Sequence, residues 1–302
     1  MPKILWGGKL SPKLKLMVNY SNAVAWVTGN ARDTAAMKHR MEKGYDGSAT
    51  DDITRYDQLG FENYTKISKT LLEGKRFDGQ IVLDVGCGTG ILSLLALEHG
   101  AAKIVCGDLS SYMLSQCEKK AKEIGYKPSQ MVFQKLDAES LPFESNHFDA
   151  VISGMVLGLV PNQKETLAEM ARVLKPGGML FIATHGPDMY FEAIETSFTT
   201  LPKSLTFGYR VEFWPLQENN ISRLFSKAGL VNVSTNRMTW KEYFDSTGEA
   251  YDFFVSTSSG WWYTFFPPDK IGSLSQKVRT AFEEKGVRHM TSDVVFAHGS
   301  KP

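Results

Sequence analysis

Residues 83–90 read Leu83-Asp84-Val85-Gly86-Cys87-Gly88-Thr89-Gly90, and this stretch decides the fold. The apolar run Gln80–Val85 leads into it and is predicted to be a buried strand, while Gly90–His99 follows it and is predicted to be a helix. The glycines allow a sharp turn, a close approach of a ligand to the backbone and tight packing of the helix on the strand. The N-terminus of that helix offers free N–H groups to a carboxylate or a phosphate.

The same alternation continues on both sides of this loop. Further strands are predicted at Lys103–Gly107, Met131–Lys135, Phe148–Ser153, Met179–Thr184, Val231–Val233 with its extension, and Asp293–Ala297. Helices are predicted over 51–74, 110–124, 162–174, 220–228 and 270–285, and a loop over 44–52. Strands that alternate with helices of this length indicate βαβ units and a parallel sheet. The prediction is an α/β fold: a Rossmann-like, seven-stranded, mostly parallel sheet with helices on both faces.

Composition narrows the class of protein. The 302 residues carry 34 basic and 33 acidic side chains, and a net charge of +1 gives no long-range reason to expect a nucleic-acid partner. The odd number of cysteines, without a CxxC pair, argues against a disulfide framework or a zinc site, so no metal is expected. The sequence shows no signal-peptide pattern and no run of 18 apolar residues. We therefore expect a cytoplasmic protein without a membrane span.

The acid after the glycine loop indicates the ligand. Asp108 ends the next strand, where an acid can accept hydrogen bonds from both ribose hydroxyls, so loop and acid together predict a nucleoside ligand. The alternative is a plain glycine turn beside an exposed Asp. The spacing is GxGxG rather than GxGxxG, and Asp84 at the strand tip would repel a pyrophosphate. The ammonium and sulfonium of S-adenosylmethionine (SAM) suit an acid there, which favours SAM over NAD.

With these residues in place, the chain resembles the class I SAM-dependent methyltransferases, in the broad group of ubiquinone/menaquinone C-methyltransferases and many small-molecule methyltransferases. Residues 83–90 match the first motif of that family, and Val105-Cys106-Gly107-Asp108-Leu109-Ser110 match the second. Leu136-Asp137-Ala138-Glu139 resembles the adenine-binding turn, residues 148–153 the fourth strand and residues 174–180 the turn into the fifth. The motifs stand in family order across residues 81–184, and outside that span the resemblance is architectural.

The resemblance implies a role for each cofactor residue. The backbone of Gly86, Cys87, Gly88 and Gly90 would cradle the methionine part of SAM, and Asp84 would meet its amino group directly or through water. The ribose and adenine would contact Asp108, Leu109, Met113, Asp137 and Ala138. Leu109 and Met113 are equally compatible with a plain core face of the helix.

Three further residues are candidates at the methyl-transfer end of the site. Ser153, at the tip of the fourth strand, is expected beside the methionine or the methyl group. Tyr56 resembles a tyrosine that closes over SAM, with a packing role as its alternative. His185, which ends the fifth strand, is the candidate general base, although a lone histidine is more often structural. In-line SN2 transfer needs such a base only when the acceptor must lose a proton.

The segments around this core are expected to handle the acceptor. We predict an N-terminal helical lid over 1–75, a SAM-binding core over 76–184, and the rest of the sheet over 185–302, with acceptor-cap insertions at 185–217 and 240–290. Residues 240–266 hold eleven aromatic side chains, which suit an apolar or planar small molecule or, alternatively, form the core of a helical cap or a dimer contact.

The predicted function is methyl transfer from SAM to a small, apolar or aromatic molecule, with O-, N- and C-methylation all open. Residues 153–157 lack the Asn/Asp-Pro-Pro-Tyr signature of amino-methylating DNA enzymes. The alternatives are a SAM-binding protein that transfers no methyl group and, less favoured, an NAD-dependent dehydrogenase.

Overall fold

The structure is a computed structural model that describes residues 9, 11–16, 20, 27, 34–47, 52–200, 217–257 and 268–302. The side chains of 47, 52–57 and 268 are not described, and Trp261 and Trp262 of the predicted cap lie outside these ranges. Within them, no helix combines the length and the apolar character that crossing a membrane requires.

Helix α1, which spans Thr34–Gly47, and helix α2, which spans Asp52–Leu71, precede the sheet. The loop predicted over 44–52 is therefore wrong in its first part, because α1 continues to Gly47. Met37, Met41 and Gly44 are buried at i, i+4 and i+7, so one continuous helical stripe faces inward through the glycine. That packing outweighs the cost of about 1 kcal/mol for a glycine inside a helix.

The central part of the chain alternates strand and helix as predicted. Its elements are β1 Ile81–Val85, α3 Ile91–Glu98, β2 Lys103–Asp108, α4 Ser111–Ile124, β3 Met131–Lys135, β4 Phe148–Gly154, α5 Gln163–Val173 and β5 Leu174–His185. The turn 175–178, expected to precede the fifth strand, is included in β5, and a register shift between Phe148 and Ala150 of β4 accommodates it.

The C-terminal part adds α6 Phe191–Thr200, α7 Glu218–Lys227, β6 Val231–Tyr243, α8 Thr247–Thr257, a short 3₁₀ turn Pro268–Lys270, α9 Ile271–Lys285 and β7 His289–Ser300. The seven strands lie in the order β3-β2-β1-β4-β5-β7-β6, which confirms the predicted sheet. Strands β1 to β5 pair in parallel, and β7 runs antiparallel to β5. Because the strand order reverses between β1 and β4, the carboxyl ends of these strands flank the crevice where ligands bind in open α/β sheets.

The chain divides into two compact units. One unit comprises 62–185, 216–238 and 294–302, and the other comprises 1–61, 186–215 and 239–293. The first unit has a core built on the sheet, where Leu83, Val105 and Val151 pack with Leu167 of α5 and Phe225 of α7. Each such side chain contributes about 2 kcal/mol when fully buried, so this core holds the strand tips in fixed positions.

The second unit has an aromatic interior. Tyr190, Tyr251, Phe253, Phe254 and Phe282 are all buried. Tyr190 meets Phe253 edge to face, as Tyr251 meets Phe282, with ring centroids 5.5 Å apart in each pair, and the rings of Phe254 and Phe282 are stacked at 6.1 Å. For these five residues the structure therefore favours the core alternative over the lining of an acceptor pocket.

Candidate functional site

The glycine loop between β1 and α3 depends on left-handed backbone at three positions. Gly86, Gly88 and Gly90 have φ of 74°, 53° and 92°. A Cβ on Gly86 would lie 2.1 Å from Cγ2 of Val156, and one on Gly90 would lie 2.5 Å from Sγ of Cys117, so both glycines are fixed by close packing. A Cβ on Gly88 would meet nothing within 4 Å. Gly88 therefore faces open space, where a ligand can approach the backbone.

Hydrogen bonds from β2 hold this loop in place. The backbone N–H groups of Gly86 and Cys87 donate to the carbonyl oxygen of Gly107, at 2.7 and 3.0 Å. The N–H of Gly88 donates to Oδ2 of Asp108 at 2.9 Å, and the N–H of Ser110 donates to Oδ1 at 2.9 Å. The Asp108 carboxylate thus joins the loop to the start of α4. Asp108 is half-buried at the end of β2, where an acid can accept hydrogen bonds from ribose hydroxyls.

Asp84 lies at the tip of β1 but is completely buried. Its Oδ2 accepts a hydrogen bond from Oγ of Ser93 at 2.6 Å, whereas its Oδ1 has no hydrogen-bond partner. Burial raises the pKa of this carboxyl group well above its usual range, and the Ser93 hydroxyl opposes that shift. Of the two contacts expected from the sequence, the geometry favours the indirect one, because no Asp84 oxygen is exposed to a ligand.

The helices that follow the two strand tips begin differently. Helix α4 is capped by Ser110, whose Oγ accepts from the N–H of Met113 at 3.1 Å. Helix α3 begins after Gly90 without a side-chain cap. Its first N–H groups are therefore available to an anion, and the helix dipole adds partial positive charge there.

Strand β4 brings Ser153 to the same edge, beside β1. Asp84 of β1 pairs with Ile152, and the hydroxyl of the buried Ser153 donates to the carbonyl oxygen of Val85 at 2.7 Å. This bond ties the two strand tips together on either side of the crevice. Ser153 thus has a structural role here, whatever contact it makes with a ligand.

The turn after β3 supplies the predicted adenine contacts. Asp137 and Ala138 are half-buried, and Oδ1 of Asp137 accepts from the N–H of Glu139 at 2.9 Å. Leu109 is also half-buried, so part of its side chain faces solvent. Met113 is only 2% exposed, which favours the core alternative for this residue.

The sequence interpretation missed the residues that fix this turn. Arg172 of α5 donates to the carbonyl oxygens of Phe143 at 2.7 Å and Leu141 at 3.0 Å, and its Nε lies 2.6 Å from Oε1 of Glu169. Glu169 in turn accepts from the N–H of Leu141 at 2.8 Å. An E-x-x-R spacing at the end of a helix was the available signal, but this spacing is equally typical of exposed ion pairs.

His185 ends β5 as predicted and is buried. A Cβ on Gly158 would lie 2.6 Å from Nδ1 of His185, so the ring packs directly on that glycine. Burial lowers the pKa of His185 to about 3, and the imidazole is therefore neutral at physiological pH. These observations favour the structural alternative for His185.

One predicted site residue, Tyr56, is described by its backbone alone. Tyr56 lies on α2, and its side chain is outside the described residues. In the described part of the chain, no group of three or more His, Cys, Asp or Glu side chains is arranged to hold a metal ion.

Comparison with known proteins decides the family. Residues 83–182 match the family described as a methyltransferase domain. The demethylmenaquinone methyltransferase of Bacillus velezensis is 33% identical over 225 residues, which cover 67% of this chain and 95% of that protein. The chain belongs to the class I SAM-dependent methyltransferases, in the menaquinone/ubiquinone-like group. The enzyme uses SAM and transfers its methyl group to a small molecule, so the dehydrogenase and the non-transferring alternatives are set aside.

Solved structures show the same fold. This methyltransferase aligns with phosphoethanolamine N-methyltransferase 2 of Haemonchus contortus in complex with SAM at a TM-score of 0.56 and 19% identity, covering 87% of this chain and 60% of that one. It aligns with the YcgJ protein of Bacillus subtilis at a TM-score of 0.55 and 18% identity, covering 80% and 98%. At such identities the likeness concerns the fold alone.

Proposed function

We propose that this methyltransferase acts on a planar aromatic acceptor of the demethylmenaquinone type. The observation that carries this proposal is the 33% identity to a demethylmenaquinone methyltransferase over 95% of that protein's length. The aromatic-rich sequence of 240–266 supports an apolar acceptor, although Tyr251, Phe253 and Phe254 among its residues are buried in the core. A third of the chain lies outside this match, so we propose the ring class and leave the substituents of the ring open.

We also propose that the glycine loop and its neighbours hold SAM. The features that support this are the open space at Gly88, the unpartnered Oδ1 of Asp84 and the uncapped start of α3. The α3 N–H groups suit the carboxylate of the methionine part, and Asp84 suits its ammonium through a bridging water. Asp108, a half-buried carboxylate at the end of β2 beside the glycine loop, suits the ribose hydroxyls, while Leu109 and Asp137 suit the adenine.

When bound, SAM supplies a methyl group on a positively charged sulfur. The chain's contribution to the reaction is orientation, since alignment of nucleophile, methyl and sulfur supplies several kcal/mol. The neutral, buried His185 cannot hold a proton near pH 7, because its pKa is about 3. We therefore propose that solvent accepts the proton that the aromatic hydroxyl or ring carbon of the acceptor loses. His185 then has a packing role.

The test is methyl transfer from SAM carrying an isotopically labelled methyl group. Reduced demethylmenaquinone is offered as acceptor, and menaquinone, in which the ring position is already methylated, serves as the matched control. We expect label in the first product and none in the second, as determined by mass spectrometry. If neither compound is labelled by protein that binds S-adenosylhomocysteine (SAH) in calorimetry, this acceptor class is excluded. The proposal for the SAM site is then unaffected.

A further inference from the structure

The three cysteines of the chain meet directly behind the glycine loop. Cys87 lies in the loop, Cys106 in β2 and Cys117 in α4, and all three are buried free thiols. The Cys106 thiol lies 3.3 Å from Oγ of Ser93 and shares hydrogen bonds with the thiols of Cys87 and Cys117. The cofactor contacts proposed above use the backbone of Cys87 and none of the three thiols.

The backbone brings one pair of these thiols together. The N–H of Cys87 donates to the carbonyl oxygen of Gly107, the residue after Cys106, at 3.0 Å. Cys87 is therefore held against the end of the strand that carries Cys106. Cys117 is held differently, because its sulfur fills the space beside Gly90 that a Cβ would occupy. Because the main chain of Cys87 is bonded to the residue that follows Cys106, these two cysteines are held on adjoining segments, which favours cross-linking without a large backbone movement.

Hydrogen bonding also distinguishes Cys106 chemically. The thiols of Cys117 and Cys87 lower the pKa of Cys106 to about 4, whereas the pKa values of Cys87 and Cys117 are raised. Of the three thiols, Cys106 is therefore the one whose thiolate form is favoured by its hydrogen bonds, and a thiolate is the form of cysteine that reacts with peroxides. Cys87, which is 7% exposed, connects the cluster to the loop surface.

We propose that Cys87 and Cys106 form a reversible disulfide with hydrogen peroxide as oxidant, and that this disulfide turns off cofactor binding. The sulfur of Cys106 attacks one peroxide oxygen, the O–O bond breaks, and the departing oxygen leaves as water with a proton, giving a sulfenic acid. The sulfur of Cys87 then attacks the sulfenic sulfur, its proton joins the hydroxyl, and a second water leaves. Two thiols are oxidised and one hydrogen peroxide is reduced to two water molecules.

The loop geometry explains the effect on the cofactor. The Cys87 sulfur lies 3.6 Å from the carbonyl oxygen of Gly88, and the N–H of that glycine is bonded to Asp108. Drawing the sulfur into a bond with Cys106 moves the peptide that faces the open space of the site. The loss of cofactor binding rests on the proposed SAM site, whereas formation of the disulfide does not.

The experiment treats the full-length enzyme with hydrogen peroxide, with and without SAH, and maps disulfides by mass spectrometry of non-reduced peptides. We expect a Cys87–Cys106 link, an SAH affinity roughly tenfold weaker by calorimetry, and recovery of both after treatment with dithiothreitol. Bound SAH is expected to slow the oxidation. No internal disulfide, or a link that joins Cys106 to Cys117, would overturn the proposal.

Matched variants separate the pair from the rest of the cluster, and each is compared with its own reduced sample. Cys117→Ala is expected to form the link and lose affinity on oxidation, as the natural chain does. Cys87→Ala and Cys106→Ala are expected to keep their affinity under peroxide, and equal losses in Cys87→Ala would contradict the proposal. If either variant fails to fold, the peptide map and dithiothreitol recovery of the natural chain still decide. Reduced enzyme that does not bind SAH would instead contradict the proposed SAM site.

Discussion

At the residue scale, the site depends on a few side chains and glycines with unusual surroundings. Gly88 combines a left-handed backbone with open space, Asp84 is a buried carboxyl with one unpartnered oxygen, and His185 is a buried imidazole with a strongly lowered pKa. Each property leads to a separate measurement.

Gly88→Ala is expected to weaken SAH binding while the fold persists. Gly177→Ala is its matched control, because Gly177 also has a positive φ of 77° and open space around its Cβ position, in the irregular segment 175–178 of β5. Both variants should lose about 1 kcal/mol of stability from backbone strain, but only Gly88→Ala should lose affinity in calorimetry. Equal SAH affinities for the two variants would place the cofactor elsewhere.

Asp84→Asn is expected to change the pH dependence of stability. Because the pKa of Asp84 is raised in the folded state, the unfolded chain releases this proton first, and stability falls as pH rises above the unfolded value near 3.8. The asparagine variant lacks this loss, so its urea midpoint should exceed that of the natural chain increasingly from pH 4 upward, while its SAH affinity falls. A difference in midpoint that stays constant with pH contradicts the buried carboxylate.

His185→Gln tests a pKa shift in the opposite direction, because the pKa of His185 is lowered in the folded state. The folded pKa of His185, about 3, lies below its ordinary value of 6.5, so the unfolded chain takes up the proton first as pH falls. The natural enzyme should lose up to roughly 1.4 kcal/mol per pH unit between pH 6.5 and 3, and the variant should not. Methyl transfer at pH 7.5 should change less than about tenfold, whereas a general base supplies a factor of 10² or more. A larger loss of rate would restore the catalytic role.

At the element scale, helix α5 positions the turn that follows β3. The guanidinium group of Arg172 donates hydrogen bonds to the carbonyl oxygens of Leu141 and Phe143, and Glu169 accepts one from the N–H of Leu141. These bonds couple the helix to the loop that carries Asp137. Loops are otherwise the parts of a fold that lose order first.

Arg172→Lys keeps the charge but cannot reproduce the set of hydrogen bonds that the guanidinium group makes. We expect a loss of about 1–2 kcal/mol in the free energy of unfolding and weaker SAH binding, because the turn with Asp137 loosens. The control is Lys122→Ala, which removes an exposed i,i+4 pair with Glu118 on α4 and should change stability by less than about 0.5 kcal/mol. Urea denaturation and calorimetry are the measurements, and unchanged affinity in a destabilised Arg172→Lys would show that the turn is not part of the site.

At the scale of the whole molecule, segments far apart in sequence form the second unit. Helices α6, α8 and α9 belong to it together with the N-terminal residues, and Tyr190, Tyr251, Phe253, Phe254 and Phe282 are buried in its interior. The acceptor cap predicted for 185–217 and 240–290 stays a prediction, which hydrogen exchange can test.

We expect amide exchange in 191–200 and 247–257 to slow when SAH and acceptor are both present, and to change little with SAH alone. Lids of this kind close once the substrate is in place. The helix 218–227, which belongs to the other unit, serves as the internal control. Equal protection with SAH alone would mean that these segments respond to the cofactor and do not cap the acceptor.

The sequence by itself determined the sheet and the candidate cofactor loop. Hydrophobic periodicity and glycine spacing are local properties, so the strands from β1 to β5 follow from their own residues. The loop expected at 44–52 failed in its first part because burial of Met37, Met41 and Gly44 outweighed the local preference of the glycine.

Only the tertiary structure decided which side chains share an environment. Separate elements must come together to bury Asp84 and to let Arg172 donate hydrogen bonds to the loop that follows Asp137. The same is true of the cluster of three cysteines, which are spread over 31 residues of sequence. The low pKa of His185 has the same origin, since nothing beside it in the sequence predicts its desolvation. Local patterns fix the conformation of a segment, whereas burial and charge depend on what packs against it from elsewhere in the chain.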